Sequence, residues 1–143
     1  MFVAEAISIV DINRPDQGGV SSLSISVHGD CLAQSRHRVR RLLTGRLLFY
    51  DPDSTSKRLY RNAIEHSLSD IGIDRHPVFV DDVKVNIVFA VRNMSKDIDN
   101  MIKFTLDAMQ RVVYHNDRTI VEVVAKKIRS ENEGTEIIIS LAT

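Results

Sequence analysis

At 143 residues with a formal net charge of zero, the chain has the length of one domain able to bury a real core, and 43% hydrophobic with 27% charged residues is the balance of an ordinary soluble globular protein. A lone cysteine, Cys31, excludes an intramolecular disulfide framework and any cysteine-based zinc cluster. No run approaches ~18 apolar residues and residues 1–5 show no basic stretch leading into a long apolar one, so no membrane span is expected and an intracellular location is.

Residues 4–10 form a short apolar run suited to an edge strand, and residues 13–19, with Pro15, Gly18 and Gly19, read as a loop. Leu23, Ile25 and Val27 alternate with Ser22, Ser24 and Ser26, the pattern of a strand with one buried face. Gly29 and Asp30 end it. Arg36, Arg38, Arg40, Arg41, Arg46, Lys57, Arg58 and Arg61 then stand against only Asp51 and Asp53, so a strong local basic field exists despite zero net charge. Residues 34–46 read as a loop, with Leu42, Leu43 and the apolar residues 47–50 expected to pack on the body. Such arginines suit a phosphate-contacting arm, through bidentate charge-assisted hydrogen bonds, as well as a solvated loop.

Asp51, Pro52, Asp53 and Ser54 mark a helix start with Asp53 or Ser54 as cap. Tyr60, Ala63, Ile64, Ser67, Leu68 and Ile71 trace one helical face, and the helix is expected to run to about Ser69. Lys57, Arg58 and Arg61 lie in its first half, away from the end the helix dipole favours for cations, a placement that points to a ligand or to a solvated face. Gly72, His76 and Pro77 punctuate the exit. Val83, Val85, Ile87, Phe89 and Val91 alternate with less apolar neighbours, the clearest strand pattern in the chain.

That strand leads through Lys96 to Asp97 and Asp99. One apolar residue separates them, so in an extended segment both carboxylates would point to one side. Ile102, Leu106, Met109 and Val113 follow at helical spacing, so a helix is expected to open at Asp99 or Asn100, with Lys103 in reach of Asp99 at i+4. With Asp117 as a third acid, this is a donor set for Mg2+-assisted phosphodiester chemistry: magnesium takes hard oxygen ligands, and a lysine offsets developing charge. The structural reading is also open, because Asp-x-Asp is common at helix starts and i,i+4 pairs along Asp99, Lys103, Asp107 and Arg111 stabilise an exposed helix by ~0.2–0.5 kcal/mol each. His115 fits a general base or a turn residue. No Gly-rich phosphate loop, nucleophilic serine signature or zinc pattern occurs, so no organic cofactor is expected.

Residues 119–128 are rich in β-branched residues and read as a strand, residues 131–134 as a turn, and residues 136–141 as a last strand hairpin-paired with the one before. The order is β-α-β-α-β-β, with a further N-terminal strand: an α+β fold, one domain over residues 1–143, with two main helices on a mixed sheet.

Asp97-Ile-Asp99-Asn100-Met-Ile-Lys103-Phe-Thr-Leu-Asp107-Ala108-Met, then Asn116-Asp117, then the apolar residues 120–123, resembles the RusA family of Holliday-junction resolvases, over about forty residues. The resemblance implies a RusA-like fold and a homodimer that resolves four-way junction DNA by paired nicks in recombination and repair. It implies Asp97, Asp99 and Asp117 as Mg2+ ligands, Mn2+ substituting, with Lys103 catalytic. Asn100, Asp107 and Asn116 become supporting residues, Asp107 by holding Lys103. DNA contacts are expected at Arg36, Arg38, Arg40, Arg41, Lys57, Arg58, Arg61 and Lys96. The chain departs from the family where Asn116 stands in place of the first of two consecutive acids, and in a shorter connection before it. Two alternatives follow: a catalytically weak branched-DNA-binding module, or a broader flap and fork nuclease.

Overall fold

The computed structural model describes residues 7–13, 19–36 and 38–142; residues 4–6 of the expected first strand, most of the following loop and His37 lie outside the described residues. In chain order the elements are β1 (Ile7–Asn13), β2 (Ser22–His28), β3 (Arg38–Arg41), β4 (Leu47–Tyr50), α1 (Ser54–Asp70), β5 (Val83–Val91), α2 (Ile98–Met109), a one-turn 3-10 helix (Asp117–Thr119), β6 (Ile120–Arg129) and β7 (Gly134–Leu141).

Five strands form one mixed sheet in the order β1-β2-β7-β5-β6. Only β5 and β6 run parallel, joined by α2 in a β-α-β crossover, which is why a helix must separate them. The alternation in β5 does what its pattern predicts: Val83, Val85, Ile87, Phe89 and Val91 are all buried beneath the helices. Leu23, Ile25 and Val27 of β2 and Ile137 and Ile139 of β7 join the same core. From α1, Tyr60, Ala63, Ile64 and Leu68 reach it, whereas Ile71 falls just past the helix end and is exposed. The two helices meet through Tyr60 and Phe104, edge to face at 5.8 Å.

Three expectations are corrected. First, β7 is not hairpin-paired with β6. It lies between β2 and β5, antiparallel to both. The chain leaving β6 crosses the end of β5, where Ser130 N–H donates to the Val91 carbonyl, and returns along the far side of β5. Second, the arginine-rich stretch is no loop, and its apolar residues do not pack on the body. Residues 38–50 form a separate two-stranded hairpin, Arg38 opposite Tyr50 and Arg41 opposite Leu47, with every strand residue exposed. Gly45, at φ +86, closes it in a conformation that costs other residues. Third, α2 opens earlier than expected, and its buried stripe runs through Met101, Phe104, Thr105, Ala108 and Met109 rather than through the half-buried Ile102 and Leu106. Its neighbour α1 sets that rotation.

Candidate active site

The start of α2 gathers four of the residues singled out by sequence. Asp97 is the N-cap: its carboxylate accepts from the Asp99 N–H at 3.0 Å, satisfying an orphan donor of the first turn, and from Asn100 Nδ2 at 3.2 Å. The two aspartates are therefore related by a helix start, not by an extended strand. Lys103 Nζ stands 3.1 Å from Asp99 Oδ2, one turn on, and both side chains are more than half exposed. Asp97, Asp99, Asn100 and Lys103 thus form a solvent-facing polar cluster in which carboxylate oxygens remain open to a ligand.

A groove of about 440 Å³ adjoins this cluster, lined by Gln34, Ser35, Arg36, Asn100 and Lys103. Its far wall is fixed by hydrogen bonds. Gln34 N–H donates to the Asn100 carbonyl at 2.8 Å, and Ser35 donates to the Asp53 carboxylate from both its N–H and its hydroxyl. Asp53, expected to cap α1 with its side chain, makes no such cap bond and braces this wall instead.

The approach to α2 is clamped from below. Lys127 of β6 donates to the carbonyls of Met94 and Lys96. Lys96 itself is half-buried, donating to the Cys31 carbonyl and to Glu133 at 3.1 Å. Burial works against the Glu133 charge, but the Lys96 bond and the Cys31 N–H outweigh it and hold the carboxyl below its usual value. Burial pushes the Cys31 thiol up, and the thiol lies within hydrogen-bond reach of the Ala90 and Gly134 carbonyls.

Other predicted residues take different places. Lys57 is buried, bonded to Asp51 at 2.7 Å and Asp107 at 3.1 Å. Asp107 therefore pairs with Lys57, and the bond expected between it and Lys103 is replaced by the one from Lys103 to Asp99. Arg61 donates to the Asp107 carbonyl. Arg58, Arg36 and the β3 arginines 38, 40 and 41 are exposed. Asn116 caps the 3-10 turn, its side chain accepting from Arg118 N–H.

Asp117 is exposed in that turn, ahead of β6. Because β6 is parallel to β5, with Ile120 beside Val83 and Arg129 beside Val91, Asp117 sits at the opposite end of the sheet from Asp97. Lys127 touches the loop that precedes Asp97, and the strand back to Ile120, like the length of α2, spans roughly 20 Å. Consistently, the Tyr114 hydroxyl, raised first by burial, feels the charges of Asp107 and Asp117 together, both toward the far end of α2. Among the described residues no three His, Cys, Asp or Glu side chains are gathered to hold a metal ion.

A family model described as endodeoxyribonuclease RusA matches residues 28–140. The chain belongs to the RusA family. The match runs from the end of β2 almost to the end of β7, and takes in the basic hairpin, the Asp97 cluster and Asp117. RusA membership makes this an endodeoxyribonuclease fold whose activity is directed at Holliday junctions. No curated protein matches the chain. For a RusA member, the residues that sequence reasoning missed are those that position the cluster: Lys127, Glu133 and Asp53. Each acts on a segment distant in sequence, so no local pattern marks it.

Proposed function

We propose that the chain is a structure-specific endodeoxyribonuclease that resolves four-way DNA junctions by paired nicks, as a Mg2+-dependent homodimer acting inside the cell in recombination and repair. The observation that carries this reading is the coincidence of the RusA match with an exposed Asp97, Asp99 and Lys103 cluster beside a groove edged by Arg36.

Asp97 and Asp99 fit Mg2+ in donor chemistry and access, since this ion is commonly held by one or two carboxylates with waters completing the shell. Asp117 of the same chain does not fit, because it stands too far away. A bound Mg2+, or Mn2+ in its place, supplies Lewis acidity at the scissile phosphate and a more acidic water. Lys103, held against Asp99, places a fixed positive charge where the phosphoryl oxygens become more negative. Asn100 holds the Asp97 carboxylate, and through its carbonyl it holds the groove wall at Gln34. Arg36 with the exposed hairpin arginines and Arg58 binds backbone phosphates, which positions the junction without reading its sequence. Lys57, Arg61 and Lys96 are left out of this group, being bonded within the chain.

One specific feature favours a second reading, a branched-DNA-binding module with weak catalysis: Asn116 serves as a cap where an acid is expected. Labelled four-way junction, flap and duplex DNA, incubated with and without Mg2+, separate the readings. Symmetric nicks in the junction that require Mg2+ support the resolvase. Junction binding with no nicking selects the module, and equal cutting of flaps selects a broader nuclease.

A further inference from the structure

We infer that the β3–β4 hairpin selects the branch itself: its arginines hold phosphates, while Phe49 and Leu43 pack against base faces left unstacked where the duplex arms meet. This rests on the junction reading above and adds to it the feature of the DNA that the hairpin distinguishes.

Residues 38–50 contain four arginines, seven apolar or aromatic residues and no acid. Such a segment is drawn to a polyanion, yet it is far more apolar than phosphate contact requires. Pairing in register sorts the two kinds of residue. Val39 lies opposite Phe49 and Arg41 opposite Leu47, and these four share one face of the ribbon, because cross-strand partners and every second residue point the same way. Arg38 and Arg40 take the other face, with Tyr50 and Leu48. The first face is therefore apolar but for Arg41, and it is open: Phe49 is 69% exposed, and Leu43 in the connecting turn is fully so. Among the described residues neither strand pairs with the main sheet. A two-stranded ribbon on its own is marginally stable in water, and an apolar patch displayed on one marks a contact surface.

Charge and place identify what covers it. Both ends of the hairpin are anchored beside the groove that Arg36, Asn100 and Lys103 line. On the entering side, Gln34 N–H donates to the Asn100 carbonyl. On the leaving side, Asp51 and Asp53 accept from Gln34 Nε2, and Asp53 also from Ser35 N–H. From this root four paired residues extend by roughly 13 Å, and a two-stranded ribbon has the width that enters a major groove. DNA held in the groove thus meets the ribbon. A continuous duplex offers it phosphates and groove edges, with the base faces closed within the stack. At a branch the stack of an arm ends, and base faces are reached at little cost. Apolar side chains wedge into such steps, and an aromatic ring stacks on a base whatever its identity. The arginines then bind any DNA, and Phe49 with Leu43 adds the preference for the branch.

Competition binding in EDTA, which prevents metal-dependent cutting, tests this with a labelled four-way junction and a linear duplex of the same sequence. The wild type is expected to prefer the junction. In the double variant Leu43→Ser, Phe49→Ser, junction affinity is expected to fall by about tenfold or more, the scale of one lost base contact, while duplex affinity stays within about twofold. Both side chains are exposed, so the core is untouched. A variant that keeps the wild-type preference, or loses duplex binding to the same degree, overturns the inference and leaves the junction reading standing. A wild type with no preference overturns both. Dissociation of a DNA-free wild-type oligomer by the double substitution also overturns it, because a second copy would then be what covers the apolar face. A second measurement reads the contact directly. The chain has no tryptophan, so Phe49→Trp places a single indole reporter on the ribbon. Its emission is expected to be quenched by stacking when junction is added and much less by duplex at equal saturation; equal responses overturn the inference.

Discussion

Lys57 of α1 and Asp107 of α2 are joined by an ion pair of 3.1 Å, with Asp51 closing the other side of the ammonium at 2.7 Å. This pair ties the basic segment to the helix that carries the Asp97 cluster, and it explains why a lysine placed for DNA by its charge neighbourhood is a packing residue. Replacing Lys57 with Met leaves Asp51 and Asp107 without their cation. Removing one partner of a fully buried pair costs about 3–5 kcal/mol; with Asp107 half exposed, roughly 2 kcal/mol is expected in urea unfolding. A loss below ~0.5 kcal/mol would place the Lys57 pair among weak surface contacts.

Acid stability should depend on the same ion pair. Burial opposes the Asp51 charge, but the bonds from Lys57, the Asp53 N–H and Gln34 prevail and hold its carboxyl below the usual 3.8. A depressed carboxyl contributes stability that is present above the unfolded value and is lost as pH falls through the folded one. Burial likewise opposes the Lys57 charge, yet Asp51 and Asp107 hold its pKa above 10.5, so its contribution persists until strongly alkaline pH. Urea melts taken between about pH 5 and about pH 3 should therefore show a steeper loss for the wild type than for Lys57→Met. Equal slopes would contradict the assignment.

Gly134 offers a purely steric check. A Cβ added there would lie 2.9 Å from the Val27 carbonyl oxygen of the paired strand β2, a backbone atom with little freedom to move. Gly134→Ala is expected to cost about 1–3 kcal/mol, as overpacking does. Unchanged unfolding would show that β2 and β7 yield more easily than this close approach implies.

The β3–β4 hairpin should serve DNA rather than stability. Since Arg38, Arg40 and Arg41 are exposed, changing all three to Ala should leave unfolding within about 0.5 kcal/mol. Junction binding should weaken, and the dependence of log affinity on log salt should become shallower by roughly one unit for each phosphate that is no longer neutralised. Unaltered affinity and slope would remove the hairpin from the interface.

What sequence could reveal was local. The alternation of β5 and the amphipathic α1 each depend on residues within one or two turns or a single strand, and each appears where expected, as does the Lys103 to Asp99 reach, although Asp97 caps the helix instead of preceding it in an extended segment. The hairpin between β6 and β7 failed because adjacency in sequence does not reveal that β7 inserts between β2 and β5. The basic stretch concealed a hairpin because Arg38–Arg41 buries nothing, so no apolar period marks it. Lys57 and Lys96 carry the charge expected of DNA contacts, but their partners Asp107 and Glu133 lie 50 and 37 residues away. The separation of Asp117 from Asp97 follows from the parallel pairing of β5 and β6, a long-range fact that spacing alone does not contain.

The most direct measurement is made on Asp99→Asn, which keeps the helix start and removes one negative charge near the phosphate. Nicking of a labelled four-way junction in Mg2+ is expected to fall by about a thousandfold or more, the scale of losing a fixed electrostatic interaction at the reacting centre, while junction affinity is retained or rises. Nicking at the wild-type rate by Asp99→Asn would contradict the assignment of this cluster as the catalytic centre.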